Sequence, residues 1–194
     1  APFVGGFADF RDFGIWFNHY REFALGYAYK KNEQFEFGFK TKMLFGKSNV
    51  DTDVNAMGFT TSKDYKLNIY SDVRLNTTLP VVEVYDSLGN FQEYARDESI
   101  SYSDMLMNTD NKGIAFDFGY RYSFPNKLSF ALSLVDLGFI HWKSRPGNLS
   151  QKGDFSLEGV DEDFSGNLND RVVELVYNDF GFQSSSKDYY TLLP

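Results

Sequence analysis

Between residues 35 and 45 every second side chain is large and mostly apolar: Phe35, Phe37, Phe39, then Thr41, Met43 and Phe45. Between them stand Glu36, Gly38, Lys40, Lys42 and Leu44. Side chains of a β-strand alternate between its two faces, so the run folds as a strand with one greasy and one small or charged side. The pattern recurs along the chain. Phe23, Leu25, Tyr27 and Tyr29 alternate with Ala24, Gly26 and Ala28. Tyr65, Leu67, Ile69, Val73 and Leu75 alternate with Lys66, Asn68, Asp72 and Arg74. Ile114, Phe116, Phe118, Tyr120, Tyr122 and Phe124 alternate with Ala115, Asp117, Gly119, Arg121 and Ser123. Leu128, Phe130, Leu132 and Leu134 follow, with Ser129, Ala131 and Ser133 opposite. A weaker strand is expected over 54–61 and a first one over about 13–17.

The runs at 35–45, 65–75 and 114–124 have the roughly 9–11 residues that a tilted strand needs to cross a bilayer. Strands of soluble sheets are more often about five or six residues long. Short turns are expected at 32–34, 62–64 and 125–127, and longer connections at 46–52, 76–112 and 143–190. Counted strand by strand, the short turns fall at one end and the long loops at the other, the arrangement of an outer-membrane barrel. The expected fold is therefore all-β: an antiparallel up-and-down transmembrane β-barrel with long extracellular loops. The chain is read as one domain over 1–194, a partial barrel of about seven strands, to be completed by further strands. Within the last loop, residues 169–177 have helical spacing and read as a short amphipathic helix, either a solvated cap over the barrel mouth or a partner-docking helix.

Composition agrees with this reading. The chain has 21 Phe and 13 Tyr in 194 residues, and aromatics suit both a pleated surface and the lipid face of a barrel. A mean hydropathy of −0.39 does not oppose it, because alternating strands average apolar with polar residues. No run of about 18 apolar residues marks a transmembrane helix. Cysteine is absent, which removes disulfides and thiolate chemistry. The net charge of −8 argues against nucleic acid as a partner.

The charges on the small face, Glu36, Lys40, Lys42, Arg74, Asp117 and Arg121, are the expected lumen-facing candidates. They would set ion or solute preference, or pair with one another and stiffen the wall. Phe35, Phe37, Phe39, Phe116, Phe118 and Tyr120 are the expected lipid-facing set. Asp51, Asp53 and Asn55 resemble the opening of a calcium loop but lack the glycine and the distal glutamate. Glu158, Asp161, Glu162 and Asp163 form a second acidic cluster. Neither makes a defined metal site, and no cofactor is expected. His19 and His141 sit beside Tyr20 and Trp142 at strand ends, where an interfacial girdle belongs. No Ser/His/Asp arrangement, phosphate loop or zinc spacing is present, so no catalytic residue is assigned and no enzyme is expected.

Several segments resemble an uncharacterised family of Bacteroidota outer-membrane barrels: residues 22–27 (EFALGY), 38–46 (GFKTKMLFG), 135–142 (VDLGFIHW) and the closing 189–194 (YYTLLP), which matches the lead into that family's next strand. The family is distantly similar to the long-chain fatty-acid transporter class, which includes the type IX secretion shuttle barrel. The resemblance implies an outer-membrane location and membrane lipid as a partner. It implies a role as an assembly component or as a transporter of a small apolar solute, with other outer-membrane or type IX secretion subunits as partners. The competing class is a secreted, soluble β-sandwich that binds, for example, glycans. The two differ at Phe35, Phe37, Phe39 and Phe45, which a sandwich must enclose under a second sheet.

Overall fold

A computed structural model describes residues 5–63, 66–85, 87, 91–158 and 181–193. The proposed helix at 169–177 and the acids Asp161, Glu162 and Asp163 lie outside the described residues. The chain is all-β and antiparallel, with eleven strands among the described residues: β1 (Phe7–Asp9), β2 (Trp16–Lys30), β3 (Phe35–Thr61), β4 (Lys66–Thr78), β5 (Val81–Tyr85), β6 (Phe91–Arg96), β7 (Lys112–Ser123), β8 (Ser129–Trp142), β9 (Gly147–Glu158), β10 (Gly181–Ser185) and β11 (Tyr189–Leu192). Among the described residues one short helix, α1 (Tyr102–Met107), precedes β7, and Ser101 caps it by accepting from the Asp104 amide. Nine strands form one sheet in the order β10-β9-β4-β3-β7-β8-β11, with β1 and β2 also paired to β3. Among the described residues this up-and-down sheet does not close, consistent with a partial β-barrel. No described helix is long and apolar enough to cross a membrane.

Several expected boundaries move. Residues 46–52 are not a connection; β3 runs through them as one 27-residue strand. Gly46 and Asn49 look like turn residues, but each serves packing. A Cβ on Gly46 would lie 2.5 Å from the Trp142 ring, so glycine is there for close approach. Asn49 is fully buried and donates through Nδ2 to the Phe17 carbonyl and to Asn18 Oδ1. With β3 uninterrupted, the turn entered at Ser62, whose N–H donates to the Lys66 carbonyl, lies at the opposite end of that strand from the turn at 32–34. The expected segregation of short turns to one rim is thereby corrected. Residues 13–15 precede β2 and are not a strand of their own. The interval 76–112 holds the β5–β6 hairpin and α1, while 143–190 holds β9 and β10 and the start of β11, so neither is a simple loop.

Contacts gather into two compact units. The first comprises residues 1–16, 50–77 and 147–186; the second comprises 17–49, 78–146 and 187–194. In the first, β9 pairs with β4 from Lys66 to Thr77, and polar side chains bond across one face of the ladder: Asn148 donates to Asn76, Lys152 to Asp72 and Ser156 to Asn68. On the other side of that sheet Val54, Val73, Leu75 and Leu149 line an apolar groove of about 350 Å³. In the second unit β2, β3, β7, β8 and β11 lie side by side. Its core is Leu44, Ala115, Ile140, Trp142 and Leu193. Trp142, expected in an interfacial girdle, is instead fully buried, donating from Nε1 to Thr191 Oγ1 at 2.8 Å.

Candidate functional site

The second unit presents two chemically opposite faces, and strand register assigns residues to them. Residues directly paired across an antiparallel ladder share a face. Phe35 faces Tyr122, Phe37 faces Tyr120, Phe39 faces Phe118, Thr41 faces Phe116 and Met43 faces Ile114. On the next strand Tyr120 meets Leu132, Phe118 meets Leu134 and Phe116 meets Leu137. From β2, Tyr27 packs against Phe37 and Phe39, and Phe23 lies edge-on to Phe45 at 6.0 Å. All six residues expected to face lipid therefore lie on one side. Phe39, Phe116 and Phe118 are exposed together with Phe23, Leu25, Phe130, Leu132, Leu134 and Leu137. Among the described residues of this unit no second sheet encloses them.

The opposite face carries five of the six expected lumen charges, and they pair. Register sets Glu36 against Arg121 and Lys40 against Asp117. Arg121 reaches Glu36 at 3.8 Å, and Lys30 of β2 approaches the same carboxylate at 3.6 Å. Lys42, only 5% exposed, donates to Asp117 Oδ1 at 2.8 Å and to Asp136 Oδ1 at 2.5 Å, while Lys40 stands 3.6 Å from Asp117. Arg74 does not join them. It lies on β4 in the other unit, in register with Ser150.

Asp136 was missed at the sequence level, although a signal was there. Apolar positions on β8 are even at Phe130, Leu132 and Leu134, then odd at Leu137 and Phe139. Such a phase slip marks one extra residue, a β-bulge. The register shifts opposite Asp117, and Asp136 takes a left-handed conformation with φ of 58°. Its backbone N–H donates to Asp117 Oδ1 at 2.9 Å, and its carboxylate turns toward Lys42. The bulge thus supplies the second carboxylate for a buried ammonium, which a lone partner would satisfy poorly.

The remaining candidates do not converge. Asp51, Asp53 and Asn55 lie on the extended part of β3, where alternate residues are separated by about 7 Å and form no ligand loop. Burial raises the Asp51 carboxyl above its usual range. The Lys152 ammonium beside Asp72 holds that carboxyl below its own. Among the described residues no cluster of three His, Cys, Asp or Glu side chains could hold a metal ion. His141 Nε2 lies 2.7 Å from Asp188, with its ring stacked on Tyr190 at 4.3 Å. His19 is exposed on β2. The two histidines belong to separate surroundings.

A model of a family of unknown function, DUF5723, matches residues 3–194. The chain belongs to that family. No curated protein and no solved structure matches it. Membership carries no activity with it, so the functional reading rests on the two faces.

Proposed function

We propose that this member of the DUF5723 family is a non-catalytic wall of an outer-membrane β-barrel. In this reading the aromatic face of β2, β3, β7 and β8 meets lipid, and the ion-paired face lines the barrel interior. The observation that carries the proposal is the exposed apolar side of the second unit, opposite a face whose charges neutralise one another. Soluble monomers rarely expose contiguous apolar patches beyond a few hundred Å². A bilayer removes that penalty, and strands cross it where every backbone N–H and C=O is paired, as in a closed barrel. A glycan-binding sandwich would enclose Phe39 and Phe118, whereas both are exposed, which favours lipid.

The finer reading, from the resemblance to Bacteroidota barrels, is an envelope assembly component linked to type IX secretion or a transporter of a small apolar solute. The inner face supports the assembly role better. Its side chains are engaged in pairs, and an interior filled by salt bridges suits a stiff wall.

The test is extraction and refolding. The protein should leave cell envelopes only with detergent, refold into lipid vesicles, and migrate on gels differently before and after boiling. A protein that stays monomeric in buffer without detergent would overturn the membrane reading.

A further inference from the structure

The apolar face ends in cations. On β3, Lys47 follows Phe45 on the same side of the strand, and Lys112 of β7 stands directly across from Phe45. Arg21 of β2 lies one alternation beyond Phe23, whose ring packs on Phe45. Arg21, Lys47 and Lys112 thus surround the end of the aromatic belt on its own face. None of the three forms an ion pair among the described residues. Arg21 has only a 4.0 Å contact with Met107 Sδ, and Lys47 donates to the Asn108 carbonyl. Burial, then the nearby Arg21 guanidinium, hold the Lys47 ammonium below its ordinary range. Lys47 is itself buried, and the neighbouring Asn108 Nδ2, also buried, finds no acceptor among the described residues. Beside them α1 exposes Tyr102, Leu106 and Met107. Cations next to exposed apolar and aromatic side chains are what the boundary between hydrocarbon and headgroups favours.

We propose that Arg21 and Lys112 bind the phosphate of an anionic lipid headgroup, with Lys47 buried behind them and the acyl chains lying on Phe23, Phe45 and Met43. The inference rests on the membrane reading above. The chain's net charge of −8 would repel an anionic lipid, so any preference for one must come from a local cluster. Lipid is the source because the site continues a lipid-facing belt. A free phosphate would gain nothing from the neighbouring rings.

The experiment uses the detergent-solubilised protein and native mass spectrometry with phosphatidylglycerol and phosphatidylcholine. Phosphatidylglycerol should bind more tightly. Arg21→Gln and Lys112→Gln, both at exposed positions, should each weaken it about fivefold, the worth of one basic residue at an anionic surface. The pair Lys31→Gln and Lys127→Gln makes the same total charge change at the other end of the belt and should leave binding unchanged. Equal binding of the two lipids, or equal losses in both pairs of variants, would overturn the site. Displacement of phosphatidylglycerol by millimolar inorganic phosphate would show a free-anion site and overturn the lipid assignment. A protein that needs detergent but shows no lipid preference loses only this inference. One that needs no detergent loses the membrane reading itself.

Discussion

Replacing Phe118 with arginine separates lipid from water as the medium on the aromatic face. Phe118 lies near the middle of β7, six residues from Lys112 and five from Ser123, in register with Phe39 on one side and Leu134 on the other. Its side chain is 42% exposed, so an arginine fits without displacing a neighbour. In water Phe118→Arg would forfeit cross-strand contacts with Phe39 and Leu134, together about 1 kcal/mol. Facing hydrocarbon at mid-strand, the same change costs about 2–4 kcal/mol, because the guanidinium must be desolvated or must drag water inward. The assay is urea unfolding of protein refolded in lipid vesicles, followed by tryptophan fluorescence, with buried Trp142 as reporter. Lys40→Arg on the opposite face keeps the charge beside Asp117 and should stay within about 0.5 kcal/mol of the parent. A cost below about 1 kcal/mol for Phe118→Arg would refute the reasoning, and so would the same cost measured without lipid.

The inner face yields a second test. Lys42→Met strands two neighbouring carboxylates and should cost about 3–5 kcal/mol in the same titration; a change below 1 kcal/mol would mean that the triad is solvated. At the bulge, Asp136→Asn should be milder than Asp136→Ala, because asparagine tolerates the left-handed conformation and keeps a polar oxygen near Lys42; the reverse order would contradict the bulge geometry. Gly46→Ala should cost about 1–3 kcal/mol through collision with Trp142, whereas Gly26→Ala, with its nearest atoms at 3.6 Å, should be nearly silent. Equal tolerance at the two glycines would show that Trp142 does not pack against β3.

Strands with a greasy parity were legible because the signal is local. The hairpin of β2 and β3, the strand β7 and the turn into β8 lie where the alternation of Phe and Tyr puts them. Parity put Glu36, Lys40, Asp117 and Arg121 on one small face, but their pairing depends on β3 lying beside β7, a long-range neighbour that no local pattern predicts. β9 was not legible. Its sequence, GNLSQKGDFSLE, reads as loop because polar residues and glycines outnumber apolar ones. Its strand character comes from β4, whose Asn76, Asp72 and Asn68 meet Asn148, Lys152 and Ser156. That information lies about 80 residues away in the chain, beyond any window of periodicity. Asp136 fell between these cases, its bulge written as a slip in phase and not as a motif.

β3, which runs unbroken through the connection expected at 46–52, also measures the apolar band. On β3 the greasy parity runs from Phe35 to Phe45, ten residue steps. At about 3.4 Å each and a tilt of about 45°, these steps rise about 24 Å, against an apolar band of about 25 Å in outer-membrane barrels. Beyond Phe45 the odd positions become Lys47, Asn49, Asp51 and Asp53, while Thr52 and Val54 border the apolar groove of the first unit. A change in which parity is greasy looks in sequence like the end of a strand. The hydrogen-bond ladder has no reason to stop there, since backbone pairing is needed in hydrocarbon and remains favourable in water. On the proposed membrane reading, what changes along β3 is the medium that its greasy parity faces. On that reading Arg21, Lys47 and Lys112 fall where the greasy parity of β3 ends.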